Sequence, residues 1–282
     1  MLSCRRMSST HADRRAAFAE GLARAVAGAI IFGLPLQMTM EMWWLGFAMP
    51  SWKLALLLAL FVPFLVALSW HVGFEPTFSL RDDLVDALVA YAVGFISSAL
   101  VLALLGQLRA DMGPHEVVGR VALQAVPASI GALLSQAQLG HRDQARALRG
   151  GSNSYGSELF IMAVGALFLA FNVAPTEEML LIAAALSSWG VIALMAASVA
   201  AMHSFVYAVA FRGSPEDHRH ASAWSVLMRF TVTGYALTLA VSAYMLWTFG
   251  RLDGLAAPAA LHAVVVLGFP AAIGAAAARL II

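Results

Sequence analysis

Charge is what this chain has least of. Only 12% of its 282 residues are Asp, Glu, Lys or Arg, where water-soluble domains carry roughly a quarter. Lysine occurs once, at Lys53, against sixteen arginines. Cysteine also occurs once, at Cys4 in the polar N-terminal stretch, which excludes a disulfide framework, a Cys-rich metal site and a thiol redox pair. A net charge of +1 gives no reason to expect a nucleic-acid partner. Residues 1–16 lack the apolar core and small-residue cleavage site of a signal peptide, so the N-terminus is expected to be retained. Nucleotide-binding glycine loops, a His-Glu-x-x-His pair and a serine triad are all missing. The expectation is a protein that is not an enzyme and carries no cofactor.

What remains is apolar. Hydrophobic residues make up 61% and the mean hydropathy is +0.81, which places the chain in lipid. Eight apolar stretches of about 20 residues or more cover 24–46, 51–74, 84–108, 117–137, 159–186, 188–211, 223–249 and 260–282. The fold class is all-α: a polytopic transmembrane helix bundle of eight spans.

The chain repeats itself. Shifted by 137 positions, residues 26–74 match 163–211 at 13 of 49 positions without a gap, where unrelated strings of this composition agree at roughly one in ten. Thr39, Glu41 and Met42 fall on Thr176, Glu178 and Met179, and Ser51-Trp52 on Ser188-Trp189. Further on, Gly94-Phe95 aligns with Gly234-Tyr235, and the run from Pro127 to Ala132 aligns with that from Pro270 to Ala275. The organisation is then an N-terminal tail (1–23), a four-span repeat (24–137), a linker (138–158) and a second four-span repeat (159–282). Four spans return a chain to its starting side, so the repeats are expected to be parallel, related by an axis along the membrane normal. Thirteen arginines fall on the side of the N-terminus and four basic residues, Lys53, Arg109, Arg120 and Arg251, on the other. By the positive-inside rule both termini are cytoplasmic. Arg24, Arg120 and Arg229 sit in the outer turns of their spans, where they can snorkel.

Carboxylates inside a span are costly and mark function, so Glu41 and Glu178 head the candidate site. If their helices line the axis, the pair can share a proton or ligate a cation through hard oxygens. Pro35 and Pro175 precede them by six and three residues, and helix kinks there free backbone carbonyls. Gln37, Thr39, Asn172 and Thr176 add neutral oxygens, while Glu177 reads as an interfacial acid. The structural alternative has each glutamate hydrogen-bonded to Thr or Trp and locking two helices together. Asp82, Asp83 and Asp86 open the third span as a capping turn, with Asp86 deep enough for a cytoplasmic vestibule or a pair with Arg229. The histidines, among them His71, His203 and His262, do not align in the repeat and read as packing or interfacial residues, not haem ligands. Pro127 and Pro270 bend spans whose small residues let helices approach closely.

The stretches Leu34-Pro35-Leu36-Gln37-Met38-Thr39-Met40-Glu41-Met42-Trp43-Trp44 and Asn172-Val173-Ala174-Pro175-Thr176-Glu177-Glu178-Met179 resemble a family of bacterial integral membrane proteins with no assigned activity. The likeness covers nearly the whole chain and implies an inner (plasma) membrane setting, without implying a substrate, cofactor or site residue. The function expected from the residues is a cation channel or small ion carrier, for protons or calcium before other ions, with Glu41 and Glu178 as the binding pair and the one metal-ligating possibility. The alternative is a membrane scaffold or sensor whose glutamates are structural. Expected partners are the lipid bilayer, small cations and a possible second copy of the chain.

Overall fold

The computed structural model describes residues 11–72, 80–139, 155–213 and 227–281. Among them there is no strand. Ten α-helices run in order: α1 (His11–Gln37), α2 (Met40–Ala48), α3 (Ser51–Val72), α4 (Leu80–Leu104), α5 (Pro114–Leu139), α6 (Tyr155–Val173), α7 (Glu177–Ala185), α8 (Ser188–Gly213), α9 (Thr233–Thr248) and α10 (Ala257–Ile281). A π-helical turn, Leu227–Val232, leads into α9. Eight of these segments are 18 to 25 residues long and apolar enough to cross a membrane. In hydrocarbon every backbone N–H and C=O needs an internal partner, and long helices supply it without help from a neighbour.

Two stretches read as single spans are each divided. The first is α1 followed by the nine-residue α2, and the fifth is α6 followed by the nine-residue α7. Both short helices start at an extended threonine, Thr39 (φ −94°, ψ 121°) and Thr176 (φ −74°, ψ 145°). Pro35 lies inside α1, two residues before its end. Pro175 lies in the non-helical connection between α6 and α7, which corrects its reading as a kink within a helix. Pro127 and Pro270 sit inside α5 and α10 as expected.

The halves use the same packing scheme. α5 is the central helix of the first, touched by α1, α2, α3 and α4; α10 holds the same place in the second, against α6, α7, α8 and α9. Lipid tails are as apolar as leucine, so helices here associate through close fit and polar contacts. The glycines show that fit. A Cβ on Gly28 would strike the carbonyl oxygen of Gly131, and one on Gly165 would strike that of Gly274. These two crossings occupy equivalent places in the repeat, and Gly131 and Gly274 lie in the aligned Pro-Ala runs. α4 and α9 also end alike. Gly106 (φ 70°) and Gly250 (φ 70°) take the left-handed conformation open to glycine. The N–H groups of Gln107 and Arg251 then reach back to Leu102 and Leu246 at 2.8 Å each.

Aromatic rings meet between the halves: Phe32 on Phe168 (5.2 Å between ring centres), Phe64 on Phe160 (5.6 Å) and Trp52 on Trp247 (5.6 Å). The linker lies largely outside the described residues, as do the side chain of His71 and the loop carrying Asp217, His218 and His220.

Candidate functional site

The site grows out of the two helix breaks. Leu36 stands opposite Gln124, whose Nε2 reaches its carbonyl at 3.4 Å. Gln124 lies ten residues into the span that runs from Pro114 to Ser135. At about 1.5 Å per residue the first break is therefore about 15 Å from either end, near the middle of the hydrocarbon.

The carbonyls freed by the break do not line an open cavity; side chains take them. Thr39 donates its hydroxyl to Pro35 O (2.8 Å), Trp43 Nε1 donates to Gln37 O (2.7 Å), and Leu36 O accepts the Thr39 N–H (3.0 Å). The second break is closed by the same device. Thr176 donates to Val173 O (2.8 Å), Asn172 Nδ2 to Phe168 O (2.7 Å), and the guanidinium of Arg251 to Pro175 O. The hydroxyl protons of Thr39 and Thr176 thus serve the breaks themselves, while Asn172 bonds back within α6.

Glu41 and Glu178 each fall in the first turn of the short helix that follows. That is the positive end of the helix dipole. Glu41 is half-buried, while Glu177 and Glu178 are exposed. None of the three has a hydrogen-bond or ion-pair partner among the described residues; the Thr and Trp donors that would lock Glu41 in place are committed to carbonyls. The two glutamates are not joined to each other: α2 packs on α5 and α7 on α10, so each acid belongs to the break of its own half. Among the described residues no group of three or more His, Cys, Asp or Glu gathers as a metal site.

Gln37 is fully buried and donates from Nε2 to Ser98 Oγ at 3.2 Å. Gln124, absent from the expected set, is buried as completely and reaches the carbonyl of Leu36, the residue before Gln37. Its signal was a lone amide in the middle of an apolar span. Two basic residues placed in loops or outer turns also turn inward. Arg120 is 9% exposed, donates to Gln107 O (3.0 Å) and Glu116 (2.6 Å), and lies over the Phe47 ring, so it is enclosed and does not snorkel. Lys53 is 6% exposed and donates to Trp247 O at 2.8 Å. At the other end of the bundle, Asp83 is fully buried, more than capping requires, and Asp86 is half-buried. Arg229 lies against the Tyr155 ring (5.4 Å). His203 Nδ1 meets Thr231 Oγ1 at 3.0 Å on the wall of an open apolar groove of about 640 Å³ between α8 and the π turn. Neither glutamate lines that groove.

A family model of integral membrane proteins, DUF2391, matches residues 21–282. No curated protein and no solved structure matches the chain.

Proposed function

The chain belongs to the DUF2391 family of integral membrane proteins, and from that premise we propose that it binds small cations within the bilayer and passes them across, as a channel or a carrier. One observation carries the reading. Glu41 stands half-buried and without a partner at the start of α2, while the neighbouring Thr39 and Trp43 donors are spent on backbone carbonyls. A carboxylate serving as a helix lock would hold a hydrogen bond across the interface; one left free in a membrane is suited to a passing positive charge. Glu178, at the matching place in the second half, is exposed and reads as the second station, each acid acting at its own break. Protons suit single carboxylates of this kind better than calcium, which takes six to eight oxygens. In this reading the halves lie parallel in a bacterial inner membrane, with both termini in the cytoplasm.

The test is flux in liposomes made from purified protein. Glu41→Gln is expected to abolish cation flux, Glu178→Gln to reduce it, with both variants keeping the wild-type elution profile in detergent. Unchanged flux in both variants would sink the proposal.

A further inference from the structure

The breaks differ in what they hold, and the difference identifies a ligand site in one of them. We propose that the first break binds one monovalent cation of sodium or potassium size, held by the side-chain oxygens of Gln37 and Gln124 at the carbonyl end of α1. The proposal deepens the cation reading above and rests on it.

Gln37, Ser98 and Gln124 come from α1, α4 and α5, and all three are fully buried. Each glutamine spends its nitrogen, Gln37 on Ser98 Oγ (3.2 Å) and Gln124 on Leu36 O (3.4 Å). The Oε1 of each is buried with no partner. Turning the Gln124 amide over does not help, because it would set its oxygen against the Leu36 carbonyl, acceptor against acceptor. Two stranded acceptors at the middle of a bilayer are an expensive arrangement, and they ask for a guest that brings positive charge. The setting agrees. α1 ends at Gln37, which places the negative end of a helix dipole there, and broken helices present such ends to cations. Glu41, an acid, follows four residues further along the chain. The cluster itself contains no carboxylate, which disfavours a divalent ion and suits a singly charged one.

The second half is the control supplied by the molecule. The repeat places Ala174, Thr238 and Leu267 where the first half has Gln37, Ser98 and Gln124. Ala174 and Leu267 are fully buried and apolar. There a cation is built in: the Arg251 guanidinium enters the break and donates to Pro175 O. The repeat gives the first half no arginine at that position. Its break has two glutamine oxygens in excess and no resident charge; the second has a resident charge, with alanine and leucine in place of the glutamines.

The experiment is a thermal-shift series on the full chain in detergent, in sodium, potassium or choline chloride at equal ionic strength. Sodium or potassium is expected to raise the melting temperature by several degrees over choline, saturating with concentration. Replacing Gln37 and Gln124 with the second half's own residues, Gln37→Ala with Gln124→Leu, is expected to erase that difference. Gln124→Met, which keeps the length and removes the oxygen, must erase most of it and serves if the double variant does not fold. Equal melting in all three salts, the mark of a water molecule or an empty site, overturns the proposal; so does a salt effect that survives in the variants. The outcome is separable from the flux test. A glutamine-dependent shift without any flux leaves the site and removes the transport reading, whereas flux with a glutamine-independent shift removes the site alone.

Discussion

In the first half of the molecule, α1 stops in mid-membrane against two glutamine oxygens that nothing in the described structure satisfies. In the second half, the equivalent helix stops against alanine and leucine, and an arginine from the α9–α10 loop closes the gap. The backbone event is the same: a threonine at the start of a nine-residue helix folds its hydroxyl back onto the preceding turn, with an acid in the turn that follows. What differs is the side-chain filling. A duplicated frame can therefore hold a fixed charge in one copy and leave the other free to take a mobile one. The frame is the expensive part and was kept twice; the filling was free to diverge.

The comparison breaks most severely if the shared frame is not shared. Gly131 and Gly274 each let α5 and α10 lie backbone-to-backbone on α1 and α6. A leucine at either position has no space, and overpacking of this kind costs about 3 kcal/mol or more. Gly131→Leu and Gly274→Leu are expected to lower the melting temperature to a similar degree. Gly113→Ala, where an added Cβ meets nothing within 4 Å, is expected to leave it unchanged. Strongly unequal losses would mean that the halves do not depend on the same crossing.

A smaller effect distinguishes the fillings. Arg251→Leu removes the donor to Pro175 O and leaves a carbonyl in the second break short of a partner, at about 1–3 kcal/mol. In choline, Gln124→Leu removes an amide whose oxygen is already unpaired and should cost nothing or raise the melting temperature, because replacing a half-satisfied polar group with a fitting apolar one relieves its desolvation. Opposite signs for the two substitutions are the expected result, read by melting in choline. A loss from both would erase the distinction between a resident and a mobile charge.

The large features were legible in the residues because they depend on composition along the chain. Apolar length set the number of spans, and the ungapped match of 26–74 to 163–211 paired the Thr39–Glu41 and Thr176–Glu178 stretches as equivalents. The Pro-Ala runs pointed to close helix packing because small residues leave few other uses in lipid. What escaped was long-range. Arg251 and Lys53 read only as basic residues on the far side of the membrane, since local sequence does not say that each reaches a backbone carbonyl on a distant segment. Arg120 looked able to snorkel because its position in the span was visible and its partners, Glu116 and Gln107, were not. Gln37 stands out for its place near Glu41 in the chain, while Gln124, which reaches the carbonyl of the preceding Leu36, lies 87 positions further along the chain with only apolar residues around it. The stretch also led to a wrong division: a run of apolar residues with a proline reads as one bent span, and nothing in it shows that Thr39 and Thr176 start a new helix.

The smallest expected effects concern how the halves are fastened at the ends of α4 and α9. The first half caps itself: Arg120 donates to Gln107 O just beyond α4. The second is capped from across the interface, by Lys53 of α3 on Trp247 O, with the ammonium 5.1 Å from the Trp247 ring and 5.9 Å from Trp52. A buried cation on a helix C-terminus contributes up to about 2 kcal/mol, and each ring contact roughly 0.5–1 kcal/mol. Its ion pair with Asp253 is a weaker matter, since the distance is 3.6 Å and the aspartate side chain is 71% exposed, and pairs of that kind are worth well under 1 kcal/mol. Lys53→Met is therefore expected to cost about 1–2 kcal/mol, read by melting in detergent. Asp253→Asn should change the melting temperature by an amount within error. If instead the aspartate substitution matched the lysine one, the ion pair and not the helix end would be the fastening, and the second half would be held by surface charge, where the first is held by an enclosed arginine.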